Sequence, residues 1–235
     1  MDYERYKKYF LARTFWFRYV GIALVIVGAA TFILGYMNYG FSVLPIGAAL
    51  AAAGAIIGWA PSVGRASEKE LLSAVERLTD GAVERALDRT GLRYKVADNM
   101  PPQMVTGYVF NAENPYVRRG DDGRWRTSDC LCSVLIFTNI GICSVSEKFS
   151  IVEQTNPQIT RHELLFSDFD GARFDTEEHL VAYGKNTETA RFSRLTFTLG
   201  EDAVFSLPAE KSATLEMMIN DMLRHREASL RNQMR

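Results

Sequence analysis

The sequence predicts an α+β protein: a two-helix transmembrane hairpin, followed by an antiparallel β domain that a C-terminal helix closes. Three observations lead there. Residues 19–64 contain no Asp, Glu, Lys, Arg or His, although the 235-residue chain carries 27 basic and 28 acidic residues elsewhere. Between residues 92 and 208, short runs rich in Val, Ile, Phe, Thr and Tyr alternate with turn-forming clusters. After Pro208, apolar residues return at helical spacing. The length leaves room for one ordinary domain and a smaller appendage.

A spanning helix needs about 20 apolar residues, and the uncharged window holds more than twice that, so it reads as two passes rather than one. The break is expected at Asn38-Tyr39-Gly40, with Pro45 just inside the second helix. A cleaved signal peptide fits less well, because its apolar region would be about 7–15 residues long and would need no second span. Arg5, Lys7, Lys8, Arg13 and Arg18 precede the first pass, and Arg65, Lys69 and Arg77 follow the second. By the positive-inside rule both termini are then cytoplasmic and the protein is integral to the inner membrane. Phe15, Trp16, Phe17 and Tyr19, then Tyr36, Tyr39 and Phe41, then Trp59 sit where interfacial aromatics would. Gly21, Gly28 and Gly35 recur every seven residues, and Gly47, Ala51, Gly54, Ala55 and Gly58 line the second helix. Small faces of this kind let helix backbones approach closely, either with each other or with another protein's helices. Ionisable groups, which mark ion and proton paths, are missing from this window.

Three domains are expected: residues 1–64 with the hairpin, an amphipathic connecting helix over 65–91, and a cytoplasmic domain over 92–235. Ser67 and Glu70 make a capping box, and Gly91 is a stop. Between them Leu71, Val75, Leu78, Ala82 and Ala86 form an apolar stripe, which suits packing on the following domain or a short coiled coil. The final helix carries Leu215, Met218, Ile219, Met222 and Leu223 on one face, with Arg224, His225 and Arg226 toward its end.

From about Val105 to Arg226 the chain resembles the bacterial pleckstrin-homology-like domains, small β-barrels plugged by a C-terminal helix and often fused to transmembrane hairpins. The segments that carry the resemblance are VLIFTNIGICSVS, LLFSDFDGARFD and RLTFTLGEDAVFSLPAEKSATLEMMINDML. The resemblance implies a scaffold that binds proteins or lipids rather than an enzyme.

The most suggestive segment of that domain is AENPYVRRGDDGRWRTSD, where Arg118, Arg119, Arg124 and Arg126 surround Trp125. Arginines beside an indole suit anionic lipid headgroups or a protein partner. Asp121, Asp122 and Asp129 offset part of that charge, and Gly120 to Gly123 also reads as a hairpin tip. Catalytic signatures are weak. RHELL lacks the second histidine of a zinc helix, and Cys130 and Cys132 share one strand face, with Cys143 at no ligand spacing. Buried, reduced thiols are expected, with no metal and no cofactor. Asp168 and Asp170 in SDFDG read as turn residues. Only five basic and two acidic residues precede residue 65, so the remainder has a net charge of −4, unsuited to nucleic acid. The expected function is a membrane-anchored scaffold holding its domain at the inner membrane for association with a protein or with itself. The competing expectation is an accessory subunit of a transporter or envelope complex, bound through the glycine faces, and a weaker one is an enzyme with an unrecognised site.

Overall fold

The computed structural model describes residues 1–11, 15–38, 44–59, 64–93, 96–97, 100–110, 116–183 and 186–233. The chain divides into two units, one formed by Leu11–Ala66 and the other by Met1–Phe10 with Ser67–Arg235.

The first unit is a pair of helices, α2 (Phe15–Asn38) and α3 (Leu44–Trp59), with Pro45 in the first turn of α3, where its missing N–H is unneeded. Gly21, Gly28, Gly47 and Gly54 face inward and the large residues outward. A Cβ added to Gly21 would lie 2.6 Å from the backbone of Gly58, one on Gly47 would lie 2.6 Å from that of Phe32, and one on Gly54 would lie 2.6 Å from the Gly21 carbonyl oxygen. Gly28 lies equally close to Ala51. The glycine faces therefore close on each other within the hairpin. Ala55 is exposed, and the surroundings of Gly35 lie outside the described residues, as do Tyr39 and Gly40 of the expected break. Ile22, Ile26, Ile33, Leu34, Tyr36, Met37 and Ile56 point outward and are exposed.

Among the described residues, no helix is long and apolar enough to cross a membrane. The 16 residues of α3 rise about 24 Å, short of a hydrocarbon core about 30 Å thick, so the second pass of the expected hairpin is missing. The expected transmembrane hairpin, its inner-membrane location and the cytoplasmic placement of the termini are overturned on that finding. The uncharged window counted the loop and the flanks as well as helix.

In the second unit α1 (Tyr3–Phe10) precedes α4 (Glu68–Thr79) and α5 (Ala82–Thr90) in sequence and shares their unit. The capping box forms, with the Glu70 amide donating to the Ser67 hydroxyl and the Ser67 amide donating to the Glu70 carboxylate. The connecting helix is not continuous. Asp80 takes an extended conformation and Gly81 a left-handed one, φ +66°, which turns the chain between α4 and α5. The Arg85 guanidinium reaches back to the Asp80 carbonyl and satisfies the frayed end.

Three antiparallel sheets follow. The first has the order β1-β4-β5-β6, with β1 Gln103–Tyr108, β4 Asp129–Phe137, β5 Gly141–Ser150 and β6 Gln158–Leu165. The second pairs β2 (Val117–Arg119) with β3 (Trp125–Thr127). The third has the order β7-β8-β9, with β7 Gly171–Tyr183, β8 Asn186–Leu199 and β9 Asp202–Pro208. The first and third sheets share one core, which includes Leu135, Phe137, Ile142, Phe166, Phe169, Leu195, Phe197 and Leu207. Ile219 and Met222 of α6 (Ala213–Gln233) are buried in that core.

The expected closed barrel is not formed, because no ladder joins β1 to β9 or β6 to β7. At the first seam Gly107 of β1 lies against Pro208, whose carbonyl would meet an added Cβ at 2.6 Å. Proline has no N–H to give to a ladder, so the two edges touch without pairing. At the second seam the chain turns sharply through Phe166 to Asp170. The Phe166 amide bonds to Ile140, the Asp170 amide bonds to Thr198, and the Asp168 carboxylate accepts from the Leu165 amide.

The glycine packing makes a graded prediction. Gly28→Leu separates α2 from α3, whereas Gly58→Ala, whose Cβ would meet the Gly21 Cα at an ordinary 3.7 Å, leaves them in place. Distances between spin labels at Ile22 and Ile56 should lengthen in the first variant and stay unchanged in the second.

Candidate binding site

The outer face of the first sheet is held to α5 by one buried carboxylate. Register places Cys132 opposite Glu147, and the Glu147 side chain is largely covered. The Arg85 and Arg89 guanidinium groups both donate to it, Arg85 at 2.9 Å. Burial pushes the Glu147 carboxyl up, but the two arginines outweigh it and hold it below its ordinary value. The cysteines on this face are structural in character: Cys130, Cys132 and Cys143 are free and buried, and burial pushes the Cys132 thiol up to about 11.

A second buried charge organises the segment around Trp125. Arg126 on β3 is 5% exposed. It donates to both carboxylate oxygens of Asp122, at 2.9 and 2.8 Å, and lies 2.7 Å from the Glu68 carboxylate at the start of α4. Desolvation opposes its charge, but the bond to Asp122 and the nearby Tyr108 and Glu68 raise its pKa above the ordinary arginine value. Gly120 is what lets the guanidinium pass, since an added Cβ there would occupy its place. The turn Gly120–Gly123 closes with the Gly123 amide donating to the Gly120 carbonyl, and Gly123 has φ +79°.

The other arginines of this segment also have protein partners. Arg118 donates to the Tyr9 carbonyl and stacks 4.2 Å above the Tyr9 ring. The Arg119 Nε donates to the Gly123 carbonyl at 2.9 Å, and Arg124 pairs with Glu210. Trp125 packs with Tyr108, Val117 and Phe192 on a small satellite core of Phe110, Val181 and Ala190. The five residues are thus brought together, but as the fastening of the β2–β3 hairpin to α1, α4 and the third sheet. Asp122 and Glu68 neutralise Arg126 and Glu210 pairs with Arg124, whereas Arg118 and Arg119 give their bonds to uncharged carbonyl groups.

Beside this fastening, the seam between β1 and β9 opens into a groove of about 290 Å³. Tyr108, Phe110 and Phe192 supply its aromatic lining, with Phe110 and Phe192 stacked 4.6 Å apart. Arg124, Trp125, Arg191 and Lys211 border it. Arg191 donates to Glu178 and is largely exposed. The sequence shows Arg124 and Trp125 but hides the groove, because Arg191, Phe192 and Lys211 come from strands and a loop more than sixty residues further along.

Catalytic groupings are thin among the described residues. No cluster of three or more His, Cys, Asp or Glu could hold a metal ion. The Asp168 and Asp170 carboxylates accept from the Leu165 and Gly200 amides and so act as turn caps. His162 packs on Phe205, His179 stacks on Phe192, and His225 lies edge-on to Phe166. No family model, curated protein or solved structure matches the chain.

Two outcomes test these charge clusters. Arg126→Ala removes the charge-assisted bonds to Glu68 and Asp122, and should lower unfolding stability by about 1.5–3 kcal/mol, read from urea denaturation. For Glu147, a depressed carboxyl contributes stability that is present above the ordinary value of 4.5 and is lost as pH falls through its folded value. The urea midpoints of the wild type and Glu147→Gln should therefore lie furthest apart near neutral pH and converge in acid.

Proposed function

We propose that this chain is a binding and scaffold module for protein association, working by recognition rather than catalysis. The observation that carries this reading is the groove at the β1–β9 seam, where Trp125, Tyr108, Arg124 and Arg191 converge on an aromatic lining. Tryptophan, tyrosine and arginine are the side chains that dominate interface energetics, because each couples a large contact area to a directional polar group. The resemblance to pleckstrin-homology-like domains belongs to the same reading. Two antiparallel sheets on a common core, with one C-terminal helix packed into it, support it.

The hairpin supports an association role from the opposite chemistry. Its outward residues, among them Ile26, Phe32, Ile33 and Ile56, form an apolar surface of the kind that marks an interaction site. Its glycine faces are occupied internally, so association through the hairpin would use these large side chains, buried against an apolar surface supplied from outside the chain.

A photo-reactive amino acid placed at Trp125 in the full chain tests the groove, with Glu201 in the exposed β8–β9 turn as the control position. Protein adducts should form at 125 and not at 201. Arg191→Glu should weaken their yield on the order of tenfold, the effect of losing one interfacial arginine. Equal adducts at both positions would count against the groove as the recognition surface.

A further inference from the structure

The edge of β6 is open and its sequence is complementary to itself. Residues 158–163 and Leu165 are all exposed, and within the first sheet β6 pairs only with β5. The pairing sets Leu164 opposite Ile142 and His162 opposite Ser144, and the Phe166 amide bonds to Ile140. Ladder bonds alternate along an antiparallel strand, so Leu164, His162 and Thr160 direct their backbone groups toward β5. Ile159, Arg161 and Glu163 direct theirs outward to the free edge. At Leu165 the outward amide is already taken by Asp168, which ends the open stretch.

An open edge of this length is a template for another strand, and proteins usually guard such edges with like charges, proline or a bulge. Here the outward face carries Ile159, Arg161, Glu163 and Leu165, apolar at both ends with opposite charges between. Ile159 is 46% and Leu165 49% exposed.

We infer that β6 pairs with β6 of a second copy in antiparallel register about a two-fold axis through His162. In that register Arg161 of each copy stands opposite Glu163 of the other, and Ile159 of each stands opposite Leu165 of the other. The parity agrees: Arg161 and Glu163, whose backbone groups point outward, form the hydrogen-bonded pairs that flank the axis, and His162 forms the non-bonded pair on it. A two-fold contact needs one patch that complements itself, and the Ile-x-Arg-His-Glu-x-Leu order does so around its central residue. Shifting the register by two residues would leave Arg161 or Glu163 facing its own kind. The bridge between Arg161 and Glu163 within one strand becomes a four-membered alternating network in the pair. The sheets of the two copies then join into one of eight strands. This surface shares no residue with the groove, so it extends the association reading to a second site and names that site's occupant.

Cysteine cross-linking of the full chain in mild detergent, with diamide as oxidant, reads the register directly. A non-bonded antiparallel pair brings the side chains close enough for a disulfide. His162→Cys should give a reducible dimer, and Thr160→Cys, whose copies stand four residues apart across the axis, should stay monomeric. Sedimentation supplies the second test. Arg161→Glu and Glu163→Arg should each weaken dimerisation roughly tenfold by setting like charges opposite twice, and the double reversal should restore it. Failure of His162→Cys to cross-link, equal cross-linking at 160, or a double reversal as weak as the singles each overturns the pairing. Loss of the 162 cross-link with adducts at 125 retained removes only this inference, whereas the converse removes only the groove.

Discussion

The guanidinium of Arg126 is the charge on which the placement of the aromatic groove depends. Taken out of water, it is tolerable only with Asp122 and Glu68 against it, and those partners come from the turn ahead of β3 and from the first residue of α4. One group therefore fixes three things: the hairpin tip, the start of α4, and the direction in which Arg124 and Trp125 leave the strand. The neighbouring contact of Arg118 with Tyr9 extends the same fastening to α1. Glu147 does the equivalent work on the outer face of the first sheet, where it meets Arg85 and Arg89. The α+β unit thus uses its few buried charges to attach peripheral elements to a core that is otherwise apolar.

The hairpin is built by the opposite rule. Its glycines take the inside, where close backbone approach needs the smallest side chains, and its large apolar residues take the outside. A helix pair of this kind gains contact between backbones but leaves its own apolar surface uncovered.

The unfilled surfaces of the other unit arise from incomplete closure. A closed barrel has no edges, whereas here Gly107 and Pro208 touch without pairing and the turn at Phe166–Asp170 parts β6 from β7. The first seam widens into the aromatic groove. The second leaves β6 with unpaired backbone groups and a self-complementary charge order.

Features set by neighbours in sequence were legible in it. The Ser67–Glu70 box, the Gly91 stop, the strand-rich stretch, the Asp168 and Asp170 turns and the apolar stripe of the last helix all depend on residues a few positions apart. The same sequence misled where a count stood in for geometry. An uncharged window long enough for two spans holds no described helix that is both long and apolar enough to cross, α3 having only 16 residues, and an apolar stripe that looked continuous is broken at Gly81. The arginine segment was visible, but its partners were not, since Arg118 meets Tyr9 at a separation of 109 residues and Arg124 meets Glu210 at 86. By itself, then, the sequence determined local elements and their caps, because these follow from spacing and side-chain size. Tertiary structure alone decided which charges are neutralised, where the sheets part and which edge stays open, because those outcomes depend on strands meeting across distances that no local pattern encodes.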